Sequence, residues 1–328
     1  MSGHLSYAEA VFVGALQGVT ELFPVSSLGH SVLIPALVGG RWASDLNVST
    51  PESPYLAFIV GLHVATAVAL VVFFWRDWIR ILRGLTTSLR YRRIQGPDER
   101  LAWMIIIGTV PVGVTGLLLE HTFRTVLGRP VPAAIFLTVN GVLLYAAELL
   151  RRRADATARP SARGVPDHAG SPTRPGDPAE AAVAEVAMAE VAEAEVAADR
   201  RVAGRSIWDT TLIASAQVLA LLPGISRSGV TMAAGLARGL SHEDSARFSF
   251  LLATPVILAA GVLKVPDLLG PLGDGIRGQV LAGSLAAGGC AYLAVRFLTR
   301  YFHTRTLTPF AVYCVVAGLA SLGYLTLW

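Results

Sequence analysis

The sequence predicts an all-α polytopic membrane protein of about six transmembrane helices plus two re-entrant helix hairpins, arranged as an inverted-topology repeat. Three observations predict it. Hydrophobic residues make up 53% of the 328 and charged residues 15%, with a mean hydropathy of +0.55, whereas soluble domains carry roughly 25% charged residues. Several apolar runs approach the roughly 20 residues that cross about 30 Å of hydrocarbon as helix. Two more apolar stretches are each broken near the middle by a proline-led segment.

In chain order, the first broken stretch is Ala8–Gly39, interrupted at Pro24-Val25-Ser26-Ser27. Three expected spans follow: Tyr55–Trp75, Leu101–Leu119 and Val131–Leu149. Ala154–Gly204 then changes character, being Pro, Gly and Arg rich at first and an Ala/Glu/Val run from Pro178 to Ala198. Its composition favours helix but offers little bulky apolar surface, so it is read as a solvated cytoplasmic linker. The second broken stretch is Ile207–Leu240, interrupted at Pro223-Gly224-Ile225-Ser226, and the spans Phe248–Val265, Val280–Leu298 and Thr308–Trp328 complete the chain. The expected division is therefore residues 1–150, a first membrane repeat; 151–205, an Ala/Glu-rich insertion; and 206–328, a second repeat. Three spans per repeat is an odd number, so the second unit must insert upside down. Leu22-Phe23-Pro24-Val25-Ser26-Ser27 aligns with Leu221-Leu222-Pro223-Gly224-Ile225-Ser226.

Charge sets an orientation. Arg76, Arg80, Arg83, Arg90, Arg92, Arg93 and Arg100 crowd the expected loop after the first span, and Arg151–Arg153 follow the third. Both segments are cytoplasmic under the positive-inside rule, and threading the chain from Arg76 puts Arg238, Arg247, Arg296, Arg300 and Arg305 inside as well. Lys264 is the only lysine, so the net charge of +4 reflects membrane orientation rather than a nucleic-acid partner. Cys290 and Cys314 both fall inside expected spans, where neither a disulfide nor thiol chemistry is expected. Met1–Glu9 has no basic n-region, so no cleavable signal is expected.

The residues able to do chemistry cluster at the two breaks. Irregular backbone at membrane depth survives only where protein buries it or a cavity runs beside it, so the breaks are expected to face each other and a polar site. Gln17 and Glu21 share one helix face in an apolar run. A carboxylate at that depth costs several kcal/mol unless paired, which marks Glu21 as a metal ligand or base. Ser26, Ser27 and His30 follow within nine residues of Glu21, and an imidazole suits proton transfer near neutral pH. The second break carries Ser226-Arg227-Ser228-Gly229-Val230-Thr231. A helix starting there offers free N–H groups beside a guanidinium, an anion site to which the hydroxyls of Ser226, Ser228 and Thr231 would add donors. A carboxylate and hydroxyls opposite a phosphate cradle suggest phosphoryl transfer. His63 reads as a packed core histidine, and Glu148 as the end of a helix beside Arg151–Arg153; neither is given a role.

Gln17-Gly18-Val19-Thr20-Glu21-Leu22-Phe23-Pro24-Val25-Ser26-Ser27-Leu28-Gly29-His30 and Pro223-Gly224-Ile225-Ser226-Arg227-Ser228-Gly229-Val230-Thr231 resemble, in order, the two signatures of the undecaprenyl-diphosphate phosphatase family. Gly108-Thr109-Val110-Pro111, Trp75-Arg76-Asp77-Trp78 and Ala246-Arg247-Phe248-Ser249-Phe250-Leu251-Leu252 fit as well. The resemblance implies a multi-pass enzyme of the bacterial plasma membrane, its site opening to the extracytoplasmic side. It would hydrolyse undecaprenyl diphosphate to the monophosphate, which recycles a cell-wall lipid carrier and confers bacitracin resistance. It implies Glu21, His30, Ser27 and Arg227 as catalytic, Ser26, Ser226, Ser228 and Thr231 with Arg227 as phosphate-binding, and a divalent metal, Mg²⁺ or Ca²⁺, near Gln17 and Glu21. Gln17 and the long insertion depart from the family pattern. The nucleophile stays open among Ser27, His30 and a metal-bound water, and the oligomeric state, a homodimer among the alternatives, stays open too. A transporter or flippase is the competing reading, because inverted repeats with broken helices are also transporter architecture. A third reading, the lipid phosphatases with paired histidines and a Lys/Arg-Pro signature, lacks its motif set here.

Overall fold

A computed structural model describes residues 5–46, 54–122, 126–158, 193, 196–270 and 274–327. Among these the chain is built from helices, with no strand. The first half contains α1 (Tyr7–Leu22), α2 (Ser27–Val38), α3 (Gly40–Asp45), α4 (Pro54–Phe73), α5 (Trp75–Tyr91), α6 (Pro97–Thr122) and α7 (Pro130–Ala158). After α8 (residues 196–203) come α9 (Ile207–Ser215), continued as a 3₁₀ turn over Ala216–Leu221, then α10 (Arg227–Ala237), α11 (His242–Leu269), α12 (Arg277–Thr304) and α13 (Thr308–Leu327). The six expected spans coincide with α4, α6, α7, α11, α12 and α13. All but α4 are long and apolar enough to cross a bilayer singly, while α4 and α5 form a pair bent by 84°. This is a multi-pass membrane protein.

The two halves pack alike in part. Exchanging α1 with α9, α2 with α10, α4 with α11, α6 with α12 and α7 with α13 preserves several neighbour relations. Thus α1 lies along α12 as α9 lies along α6, α2 touches α13 as α10 touches α7, and α4 touches α12 as α11 touches α6. The packing of α10 on α11 and of α11 on α12, by contrast, has no counterpart of like extent in α2 with α4 or α4 with α6. The α4–α11 and α7–α13 pairings map onto themselves, as two units about a pseudo-twofold require. Close approach of α1 to α12 depends on small residues: a Cβ at Gly14 or Gly18 would collide with the carbonyl oxygens of Gly283 or Ala287. The second hairpin leaves where it enters, since Arg205, just before α9, donates to the Gly239 carbonyl just after α10 at 2.8 Å.

The basic segments lie on one face. Arg100 donates to the Arg205 carbonyl at 2.9 Å, Arg151 to the Leu240 carbonyl at 2.6 Å and Arg152 to the Thr308 hydroxyl at 3.2 Å. These bonds tie together the neighbouring ends of α6, α7, α9, α10 and α13.

Two segments differ from the sequence reading. The arginine-rich stretch after Trp75, expected as a loop, is mostly α5, whose Trp75, Ile79, Leu82 and Leu89 recur at helical spacing on an exposed apolar side. The expected linker falls largely on residues 159–192, 194 and 195, which lie outside the described residues. Its last part is packed rather than solvated: Ala198, Val202 and Ala203 of α8 are buried. Asp199 accepts from Arg247 Nε at 2.8 Å and from Arg80, while Arg247 also pairs with Asp77 at 2.8 Å. Arg201 grips Asp244 with two nitrogens, at 2.7 and 2.9 Å. Asp199→Asn should therefore cost about 3 kcal/mol by stripping a buried guanidinium of a partner. A melting temperature in detergent equal to that of wild type would contradict this.

Candidate active site

Each break is a helix end followed by a new helix start. Pro24 cannot donate to a continuing helix, and α1 stops at Leu22 with Phe23 extended. Ser26 then takes a left-handed conformation (φ +69°), uncommon for a residue with a Cβ. It is held there from three sides: its Oγ accepts Gly29 N–H at 3.1 Å, and its carbonyl accepts His30 N–H at 3.2 Å and His30 Nδ1–H at 2.7 Å. In the second break Gly224 (φ +111°) faces the Ala133 carbonyl oxygen so closely that a Cβ would collide with it. Ser226 caps α10 as Ser26 caps α2, its Oγ accepting Gly229 N–H at 3.1 Å. Structurally, therefore, Ser26 is the equivalent of Ser226. The ungapped alignment, which set Ser27 against Ser226, slips by one because the second break is one residue longer between proline and capping serine.

The breaks touch each other, as expected. Ser228 Oγ donates to the Phe23 carbonyl at 3.3 Å and lies 3.1 Å from Ser226 Oγ. Fully buried Asn140 on α7 joins them, donating from Nδ2 to the Pro24 carbonyl and accepting Ser226 N–H at Oδ1, both at 3.0 Å. Sequence reasoning passed over Asn140, although a lone amide in the apolar run Val131–Leu149 was a signal. Asn140→Leu leaves one buried carbonyl and one buried N–H without this partner, so it should cost about 2–6 kcal/mol and lower the melting temperature. A variant that melts with wild type would mean the two breaks hold together without it.

At this junction Glu21 gathers four donors. Oε1 accepts Arg227 Nη2 at 2.6 Å. Oε2 accepts Ser27 Oγ at 2.6 Å and Gln17 Nε2 at 2.8 Å, with His63 Nε2 at 3.3 Å. Arg227 Nη1 reaches on to the Ala253 carbonyl at 3.0 Å, fixing the guanidinium plane against α11. Glu21, Ser27, His63 and Arg227, though not Gln17, border a cavity of about 260 Å³, whose polar lining also includes Ser26 and Ser226, and whose apolar wall includes Val60, Val112 and Ile257. The N-termini of α2 and α10 both open onto it, supplying N–H groups that no helix bond uses. Chemically, the arrangement joins a hydroxyl to a base and sets both beside fixed donors for an anion.

The sequence-derived set divides here. Glu21, Ser26, Ser27, Ser226 and Arg227 line the cavity; His30, Ser228 and Thr231 do not. Thr231 Oγ1 donates to the Arg227 carbonyl at 2.8 Å, and Ser228 bonds across the breaks, so both hydroxyls serve the backbone. His30 Nδ1 faces a carbonyl and therefore carries the proton, which leaves Nε2 to accept from Tyr313 OH at 2.7 Å. With both nitrogens engaged, His30 positions Ser26 in this arrangement. His63, read as a packed histidine, lines the cavity beside Glu21; its remoteness in sequence from both motifs concealed it. Its Nδ1 faces the Ile59 carbonyl at 2.8 Å, so a proton sits there, and Nε2 facing a carboxylate calls for another between them. Glu148 pairs with Arg152 at 3.2 Å and His242 at 2.8 Å on the basic face.

Gln17 Oε1 is buried with no hydrogen-bond partner, four residues from Glu21. Among the described residues no three His, Cys, Asp or Glu side chains cluster as a metal cage. Gln17 Nε2 is turned to Glu21, whose two oxygens already accept four donors, so a divalent cation would bind here only by displacing one of them, with phosphate and water supplying its remaining oxygens.

Fold and site together define a polytopic α-helical membrane protein in which two opposed broken hairpins enclose a carboxylate, a hydroxyl and a guanidinium. The chain belongs to the bacitracin resistance protein BacA family, whose profile matches residues 10–320. It is 65% identical over 327 residues to an undecaprenyl-diphosphatase of Mycolicibacterium paratuberculosis, covering 100% of both chains. It is 57% identical over 357 residues to undecaprenyl-diphosphatase 1 of Frankia casuarinae, covering 95% of this chain and 96% of that one. An undecaprenyl-diphosphatase of Granulibacter bethesdensis is 39% identical over 321 residues, covering 97% and 96%.

Proposed function

We propose that this chain hydrolyses undecaprenyl diphosphate to undecaprenyl phosphate and inorganic phosphate, recycling a lipid carrier for peptidoglycan synthesis and conferring bacitracin resistance. The observation that carries this reading is the 2.6 Å bond from Ser27 Oγ to Glu21 Oε2, with Arg227 on the other carboxylate oxygen, where two helix N-termini meet a cavity. A hydroxyl bound to a carboxylate is a nucleophile with its base, and transport alone gives no reason for that pairing.

In this reading the distal phosphate is held by Arg227 and by the first N–H groups of α2 and α10. Ser27 Oγ attacks its phosphorus and passes its proton to Glu21 Oε2, while the bond to the bridging oxygen breaks and undecaprenyl phosphate leaves. Water then attacks the phosphorus and its two protons leave on the dihydrogen phosphate product, while the bond to Ser27 Oγ breaks and that oxygen takes back the proton from Glu21. Gln17 and His63 keep the carboxylate turned toward Ser27, and His63 and Arg227 balance its charge. Gln17 and Glu21 would hold a divalent cation, Mg²⁺ or Ca²⁺, which when bound neutralises charge on the phosphoryl oxygens.

Purified protein in detergent, where there are no two sides to transport between, should release phosphate from undecaprenyl diphosphate and lose that activity with chelator. Acid quenching during turnover should trap phosphate on Ser27, and Ser27→Ala should trap none. No phosphate release would overturn the reading. Release without a phosphoenzyme, retained by Ser27→Ala, would move the attack to water.

The membrane is taken to be the bacterial plasma membrane, with the basic face cytoplasmic by the positive-inside rule. The cavity is taken to lie toward the other half: Val60 and His63 are nearer Pro54 at the start of α4 than Phe73 at its end, and Ile257 lies fifteen residues beyond His242. The site accordingly opens to the extracytoplasmic side. A membrane-impermeant thiol reagent on spheroplasts should label Val38→Cys and spare Tyr91→Cys; the reverse pattern would invert the orientation.

A further inference from the structure

We propose that the end of α12 binds the phosphate headgroup of an anionic phospholipid in a groove separate from the catalytic cavity. The groove encloses about 430 Å³ and is lined by Arg296, Arg300 and Arg305 together with Leu293, Phe297 and Tyr301. Arg296 and Arg300 are four residues apart, on one side of the helix, and Arg305 follows its last turn. Most arginines bordering the hairpin and α8 on the same face are paired: Arg80 and Arg247 with Asp199, Arg201 with Asp244, Arg238 with Asp209, Arg151 and Arg205 with backbone carbonyls. Arg296, Arg300 and Arg305 are exposed, and no carboxylate lines their groove. Two other arginine-lined cavities, by contrast, each contain two carboxylates, Asp98 with Glu99 and Glu243 with Asp244.

The apolar part of the lining selects a lipid over a soluble anion. Leu293, one turn before Arg296, and Phe297, between Arg296 and Arg300, are exposed, and Leu285 and Leu281 continue the exposed apolar side toward the start of α12. A phosphate on the guanidinium forks would therefore have its acyl chains lying down an apolar helix side. Phe297 also stacks on Phe23 of the first break, with centroids 5.9 Å apart and planes at 2°. An occupant would thus border the segment that carries the site.

Phosphatidylglycerol, titrated into protein purified in a neutral detergent, should raise the melting temperature saturably. Phosphatidylcholine and inorganic phosphate at the same concentrations should not. One basic residue near an anionic surface contributes about fivefold in binding, so Arg296→Gln/Arg300→Gln/Arg305→Gln should weaken phosphatidylglycerol about a hundredfold. Arg90→Gln/Arg92→Gln/Arg93→Gln removes the same charge from the same face and should leave the affinity within about threefold. Equal losses in the two triple variants would reduce the effect to general surface charge and overturn the site. If the first triple variant fails to fold, the wild-type titration decides: a shift with phosphatidylcholine, or none with phosphatidylglycerol, overturns it as well. Neither readout involves undecaprenyl diphosphate hydrolysis, so failure here leaves the catalytic reading untouched.

Discussion

Glu21→Gln should lower kcat about 10²- to 10⁴-fold, the range lost with a general base, and should also lower the melting temperature. The second effect follows from the partners. The carboxylate accepts from Arg227, Ser27 and Gln17 and faces His63; an amide offers one acceptor oxygen and turns two N–H groups toward the remaining donors. A buried guanidinium would then lose its counter-charge, worth about 3–5 kcal/mol. Glu21→Asp separates the two roles, because it keeps the charge but withdraws it by one methylene from Ser27. Stability should largely return, while kcat should stay well below wild type. The measurements are kcat on undecaprenyl diphosphate and melting temperature in one detergent. A Glu21→Gln variant that melts early yet turns over at the wild-type rate would reduce Glu21 to a structural anion.

The architecture was legible because membrane spans declare themselves through length and apolarity, and Pro24 and Pro223 interrupt such runs visibly. Glu21, Ser27 and Arg227 were legible for a related reason: polar groups at membrane depth need a purpose, and these fell within two short motifs. The structure adds that they are one another's partners. Glu21 and Arg227 are 206 residues apart, and no local pattern shows a carboxylate of one repeat meeting a guanidinium of the other. His63 was hidden likewise, since a single histidine in a span has no periodicity that aims it anywhere. The hydroxyls of Ser228 and Thr231 misled because composition counts donors without saying which are already engaged. Thr231 sits one turn past Arg227 and bonds its carbonyl, a common choice for threonine inside a helix. Asp199 was missed because the Ala/Glu run before it reads as solvated, whereas its burial depends on Arg80 and Arg247 from two distant helices.

Arg227→Lys should prove far from conservative. The guanidinium bonds Glu21 Oε1 and the Ala253 carbonyl through different nitrogens, at 2.6 and 3.0 Å, which fixes its plane beside the cavity and leaves further N–H groups for a phosphate. An ammonium on a flexible stem keeps the charge but lacks that planar fork. It can remain on Glu21, so stability should fall little, yet it then cannot present aligned donors to the transferring group. Long-range attraction for the diphosphate survives, and KM should change less than kcat. Removing a charge-assisted hydrogen bond from a water-poor site costs roughly 2–4 kcal/mol, or about 30-fold to nearly 1000-fold in rate. Should kcat and KM both stay within about threefold of wild type, a change below roughly 0.7 kcal/mol, Arg227 would be only the counter-ion of Glu21 and the phosphate would have to be held by the helix N-termini.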